Sequence, residues 1–170
     1  MRVSPIGIAC NSLDEVLSEA RSSAEVTHNH PEGIRGAQAT AAAVFLARSG
    51  AAKEDIRTDL QRDFGYNLSQ RLDEIRHGYR FDISCQGSVP PSIIAFLESH
   101  TYEDAIRNAI SLGGDADTMA AIAGGIAEAF YGGVPEDVRI PAIAKLDQPL
   151  RAVVDAFLER FGDRLTARQR

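Results

Sequence analysis

Asp115 and Asp117 stand one residue apart in Gly113-Gly114-Asp115-Ala116-Asp117-Thr118, and a threonine hydroxyl follows the second carboxylate directly. Three hard oxygen donors in four residues suit Mg²⁺, Mn²⁺ or Ca²⁺ rather than a soft metal. The pair of glycines before them predicts the end of one helix, and Met119 to Tyr131 has the composition of another. Aspartate is favoured at such a helix start, where free N–H groups and the helix dipole stabilise negative charge. A Gly-Gly turn followed by a simple Asp N-cap is the plainer reading of the same residues. Against it, a cap needs one carboxylate, and here two border an almost uncharged helix.

Spacing removes two rival motifs. An EF-hand loop requires Asp-x-Asp-x-Asp-Gly with a glutamate at its twelfth position, and the run from Met119 supplies neither. The Asp-x-Asp-x-Thr of haloacid-dehalogenase phosphatases follows a buried strand. In this chain the threonine comes at once and the preceding segment, Tyr102 to Leu112, has helical spacing.

The elements that must position this turn read as helices. Ser12-Leu13-Asp14-Glu15 is a capping box that opens a helix to about Val26. His30-Pro31-Glu32 starts a second helix with proline at its first position, running to Gly50. A third covers Lys53 to Phe64 and stops at Gly65; a short one covers Ser69 to His77 and closes at Gly78. Tyr79 to Pro91 reads as a loop because of Gly87, Pro90 and Pro91, with a helix from Pro91 to Glu98. Thr101 caps the helix that leads to Gly113, and Pro149 to Phe161 is the last helix, followed by a solvated, arginine-rich tail. No period-two pattern persists, so the expected fold is all-α, one domain over residues 1–170.

Two helices carry stripes of small residues: Gly36, Thr40, Ala43 and Ala47 on one, Ala116, Ala120, Gly124 and Ala127 on the other. Small side chains permit close helix axes. That is tight packing in itself, and it would also bring His28, before one helix, near Asp115 and Asp117 at the start of the other. His28-Asn29-His30 is a His-x-His that could ligate zinc, yet only His77, His100 and two isolated cysteines, Cys10 and Cys85, exist to complete such a site. A hydrogen-bonding role beside a substrate, or plain helix-start structure, are the other readings of His28.

The formal net charge of −6 disfavours nucleic acid, whose phosphates are held by clustered Lys and Arg. Unpaired cysteines fit a reducing cytoplasm. No signal-peptide core precedes Pro5 and Gly7, and the longest apolar run, Met119 to Ala127, falls short of the ~20 residues that span a bilayer. A cytoplasmic protein with no membrane partner is expected.

Four segments, in order and at fitting distances, resemble the ADP-ribosylglycohydrolase family. They are Met1-Arg2-Val3-Ser4-Pro5-Ile6-Gly7, Thr27-His28 with Gly36-Ala37 beyond, Gly87-Ser88-Val89-Pro90-Pro91, and Gly113-Gly114-Asp115-Ala116-Asp117-Thr118. The resemblance implies an orthogonal multi-helix, all-α bundle with a dinuclear Mg²⁺ or Mn²⁺ centre. It implies hydrolysis that releases ADP-ribose from a modified side chain or a related acceptor, so the expected partner is an ADP-ribosylated protein or an ADP-ribose-containing small molecule. Asp115, Asp117 and Thr118 match the C-terminal half of the family's metal ligands, and His28 matches the histidine that helps to hold ADP-ribose.

The family's other ligands, a Thr-Asp-Asp cluster, have no counterpart in these residues, and neither does an acidic residue near the family's start. The expectation is an N-terminally incomplete domain whose catalytic base lies outside this chain. A non-catalytic ADP-ribose-binding or regulatory module and one subunit of a split hydrolase are the alternatives, with self-association or an N-terminal partner segment covering the gap.

Overall fold

A computed structural model describes residues 1–166 of the chain, and all of its regular structure is helical. Among the described residues eleven helices follow one another with no strand: α1 Ser4–Ala9, α2 Leu13–Glu25, α3 Pro31–Arg48, α4 Lys53–Phe64, α5 Leu72–Gly78, α6 Cys85–Leu97, α7 Tyr102–Ser111, α8 Ala116–Tyr131, α9 Glu136–Ile143, α10 Gln148–Phe161 and α11 Asp163–Thr166. The all-α expectation is met.

Local chemistry sets most boundaries. Ser12 accepts the Glu15 N–H at the head of α2, although the Glu15 carboxylate reaches the N–H of Asn11 rather than that of Ser12. His30 caps α3 by accepting from the Glu32 N–H, with Pro31 at the first helical position. Thr101 accepts the Asp104 N–H at the head of α7. Gly65 ends α4 in the left-handed region, at φ +67°.

The largest departure from the sequence reading is α6. It begins at Cys85, capped by the Ser84 hydroxyl, and runs through Gly87, Pro90 and Pro91 where a loop was expected. Pro91 has no N–H for the Gly87 carbonyl one turn back. The Tyr79 hydroxyl donates to that carbonyl instead, at 2.9 Å, so the helix survives a proline it should not tolerate. Helices α1 and α9 also lie where no helix was expected.

Helices α3, α6 and α8 form the centre, with α7 against α6 and α8, and α2 against α3. Val44, Ile93, Ile94, Phe96, Met119 and Ile122 fill it, each essentially without solvent contact. The small-residue stripes serve these contacts. A Cβ on Gly36 would come within 3.0 Å of the Cys85 side chain on α6, and one on Gly124 within 2.7 Å of Ile106 on α7. A second cluster, Val3, Cys10, Val16, Ala20 and Ala41, holds α1 and α2 to α3.

The tail beyond Phe161 is not idle. Arg164 donates to the Ala9 carbonyl at 2.5 Å and to the Asn11 side chain at 2.9 Å, closing the C-terminal end of α1. This is a cation where helix carbonyls are unpaired. Arg168 and Arg170 lie outside the described residues. Helices α9 and α10 bury no residue completely, and Ile140, Leu150 and Val153 stand exposed on them.

Candidate metal and nucleotide cleft

The turn between α7 and α8 is built by two glycines in the left-handed region, Gly113 at φ +77° and Gly114 at φ +66°. At Gly114 space and conformation make the same demand, since a Cβ there would lie 2.7 Å from the Tyr79 ring. The chain then delivers Asp115 to the N-cap position of α8, where its carbonyl accepts the Met119 N–H. Its carboxylate makes no capping hydrogen bond. Asp115 thus stands at the N-cap position without its side chain serving as the cap. Asp117 accepts the Thr118 N–H at 2.8 Å. A hydrogen bond from Asp115, followed by that N–H, holds the Asp117 carboxyl below the usual range. Among the described residues no cluster of three His, Cys, Asp or Glu side chains could hold a metal.

Asp115 and Thr118 line a cleft of about 250 Å³ together with His28, which arrives from the loop between α2 and α3. Asp117 is exposed and does not line it. Gly36 and Thr40 of α3, Val89 of α6 and Ile122 of α8 wall the cleft, so the packing of these three helices is what brings His28 to the same space as the turn. Thr40 donates its hydroxyl to the Gly36 carbonyl at 2.9 Å, leaving that wall internally satisfied. The His28 Nδ1 lies 2.8 Å from the Thr27 hydroxyl, and the same hydroxyl accepts from Arg2 at 2.5 Å. Gly33 lets this loop fold tightly, because a Cβ there would meet the His28 carbonyl at 2.6 Å. His30, the other half of the His-x-His, spends its ring nitrogen on the α3 cap.

Several lining residues were not assigned a role from sequence: Arg2, Ile83, Cys85 and Ser88. Arg2 and Ser88 sit inside segments that carried the family resemblance, which was the available signal. Burial raises the Cys85 thiol, the N-terminal ammonium opposes this and Glu32 adds to it. Burial also raises the Tyr79 phenol, with Asp82 and then Asp115 adding to the effect.

The sequence profile of the ADP-ribosylglycohydrolase family matches residues 1–169. Human ADP-ribosylhydrolase ARH3 is 34% identical over 179 residues, an alignment covering 78% of this chain and 49% of that protein. The ADP-ribosylarginine hydrolase Tri1 of Pseudomonas putida (strain GB-1) is 31% identical over 145 residues, covering 81% of this chain and 39% of that protein. A solved structure described as an ADP-ribosylglycohydrolase-related protein complex superimposes with a TM-score of 0.67 at 25% identity, covering 98% of this chain and 58% of the other. The chain thus spans about half the length of the curated relatives it matches. A profile match along nearly the whole chain, joined to the same helical arrangement in a solved relative, makes this chain a member of the ADP-ribosylglycohydrolase family.

Proposed function

We propose that residues 1–170 are part of a Mg²⁺- or Mn²⁺-dependent hydrolase domain that removes ADP-ribose from a modified side chain or a related acceptor. The observation that carries the reading is the uncapped Asp115 carboxylate, which shares a cleft with Thr118 and His28. The donor set fits the cation: two carboxylates one residue apart and a hydroxyl are hard oxygen ligands, and the Asp115 carboxylate makes no helix-capping bond. When bound, the divalent cation supplies charge stabilisation and a water of lowered pKa.

This chain's own residues do the rest. Asp115, Asp117 and Thr118 hold the C-terminal side of the metal centre. Arg2 donates to the Thr27 hydroxyl, which lies 2.8 Å from His28 Nδ1 and fixes the ring's position whichever of the two donates. Held this way, His28 turns its Nε2 edge to the nucleotide end of ADP-ribose. The Gly36 wall excludes water from the apolar side of the cleft.

The Thr-Asp-Asp cluster of the family does not occur in these 170 residues. The remaining ligands and the catalytic base are therefore assigned to sequence outside them, on the same chain or on a partner. The second reading is a module that captures ADP-ribose without turnover, for which His28 and Thr118 in one cleft would suffice. The exposed Ile140, Leu150 and Val153 favour self-association or cover by another segment. The site of action is taken to be the cytoplasm. No helix among the described residues is long and apolar enough to cross a membrane.

The test is release of ADP-ribose from ADP-ribosylated protein by this chain joined to a family-type N-terminal segment, with Mg²⁺ or Mn²⁺. Asp115→Ala and Asp117→Ala should abolish turnover, since several kcal/mol of charge stabilisation are lost. His28→Ala should mainly weaken binding, by about 1–3 kcal/mol for one buried hydrogen bond. Full turnover in Asp117→Ala would remove the metal assignment. Binding of ADP-ribose without turnover by the joined protein would favour the capture module.

A further inference from the structure

The segment between α5 and α6 lays its backbone against the metal turn and leaves two large apolar side chains in solvent. Tyr79 donates its hydroxyl to the Gly87 carbonyl at 2.9 Å, and the Asp82 carboxylate accepts the Ser84 N–H at 2.8 Å. Gly87 leaves room for that carboxylate, since a Cβ there would collide with it. The segment is thus pinned to the start of α6. A Cβ on Gly114 would meet the Tyr79 ring at 2.7 Å and the Phe81 Cα at 3.5 Å, so this backbone lies directly on the turn that delivers Asp115.

Phe81 and Ile83 remain 68% and 79% exposed. Among the described residues every other aromatic side chain is buried or half-buried. Isolated exposed aliphatics such as Val26 and Ile110 are ordinary for a protein surface. A ring held in solvent two residues from a second large apolar side chain, with the polar Arg80 and Asp82 between and beside them, has the make-up of an interaction site. The two residues differ in place. Ile83 lines the cleft with Asp115 and Thr118, and Phe81 does not. In the proposed hydrolysis the bond that breaks joins the anomeric carbon of the terminal ribose to the acceptor, and the metal turn stands at that carbon because its cation supplies the attacking water. A residue packed on the turn but outside the cleft is then next to what hangs from that carbon.

We propose that Phe81, with Ile83 beside it, is the platform on which an acceptor polypeptide rests, so that the substrate is a modified protein rather than a free small molecule. This rests on the hydrolase reading. A small acceptor leaving at the cleft mouth has no need of an aromatic contact outside it. Nucleic acid is disfavoured by the exposed carboxylates Asp82 and Asp117, with Arg80 the one cation of the segment. Aromatic anchors concentrate binding energy at protein interfaces, and this one is held in place before the partner arrives. Phe81 touches neither metal nor nucleotide in this scheme, so it sets which acceptor is bound and not how the bond breaks.

The probes are free ADP-ribose and short synthetic peptides mono-ADP-ribosylated on arginine or on serine. They are titrated with Mg²⁺ into the 170-residue chain and followed by calorimetry and amide NMR. The modified peptides should shift Arg80 to Ile83 in addition to the residues that ADP-ribose shifts. Phe81→Ser should weaken the peptides about five- to tenfold, as truncation of an aromatic anchor does, and leave free ADP-ribose unchanged. Phe81→Tyr should keep the parent's affinity for both. Equal weakening of peptide and ADP-ribose, or no weakening of either, would overturn the platform and leave the hydrolase reading standing. Shifts at Phe81 that grow with protein concentration alone would assign the ring to a second copy and overturn it as well. A chain that binds neither ADP-ribose nor the peptides would overturn the hydrolase reading, and the platform with it.

Discussion

Helices α6 and α8 begin in the nucleotide cleft and end around Lys53, and the two ends treat their polar groups in opposite ways. At the Lys53 end the ammonium and the hydroxyls of Ser99 and Tyr131 all bond within the chain. The ammonium bonds α6 through Phe96 and the following Ser99, and α8 through Tyr131, and it lies 5.0–5.4 Å above the rings of Phe96, Phe130 and Tyr131. Tyr131 in turn donates to the Ser99 carbonyl at 2.9 Å. At the cleft end the Asp115 side chain occupies an N-cap position without making a capping bond. One end uses its hydrogen-bonding capacity within the chain, and at the other the Asp115 carboxylate makes no capping bond. Saturated polar clusters hold a fold together, whereas unsatisfied ones at a helix start are where ligands go.

If that contrast is right, the largest stability loss should come from the saturated end. Lys53→Met removes charge-assisted bonds and a cation over three rings, and should cost about 2–3 kcal/mol in urea unfolding. Metal and ADP-ribose affinities should stay within experimental error of the parent. A Lys53→Met chain as stable as the parent would mean that the cluster is surface decoration.

Gly114→Ala should do less to stability and more to the ligand. Forcing a Cβ at φ +66° against the Tyr79 ring should cost about 1–2 kcal/mol. It should also move Asp115 and Thr118 enough to weaken Mn²⁺ binding, measured by water-proton relaxation. A large stability loss with unchanged Mn²⁺ binding would separate the turn from the metal and break the comparison at its functional end.

The sequence was readable where a single residue decides a boundary. Ser12, Pro31, Gly65 and Thr101 each mark a helix end by their own local hydrogen bond or backbone conformation, and each mark is found in the structure. It failed at α6, because the helix is rescued by a side chain outside it. Nothing in the run Gly87 to Pro91 shows that the Tyr79 hydroxyl will replace the missing N–H. The turn Gly113 to Thr118 was legible for the opposite reason: its donors are contiguous. The shared cleft with His28 was inferable from the small-residue stripes, since close helix packing is a consequence of missing side-chain volume. The role of Arg164 was misread, its acceptors being more than 150 residues away in the chain.

The smallest effect concerns α8 between its two ends, where Glu128 lies mostly buried with no ion pair among the described residues. Burial raises its carboxyl above the usual range, and its charge in turn adds to the raised phenol of Tyr102. A carboxyl whose folded pKa is raised keeps its proton longer in the folded chain than in the unfolded one. Between the two values the folded state binds more protons, so stability falls as pH rises through that window and the loss is complete above it. Glu128→Gln carries no charge at any pH. It should match the parent below the ordinary carboxylate range and exceed it at neutral pH, by less than about 1 kcal/mol, with the metal and ADP-ribose affinities unchanged. The measurement is a pair of urea titrations, one near pH 4 and one near pH 7. A glutamine variant that is less stable at pH 7 would show that Glu128 is satisfied there as a carboxylate, and that α8 is saturated up to the turn itself.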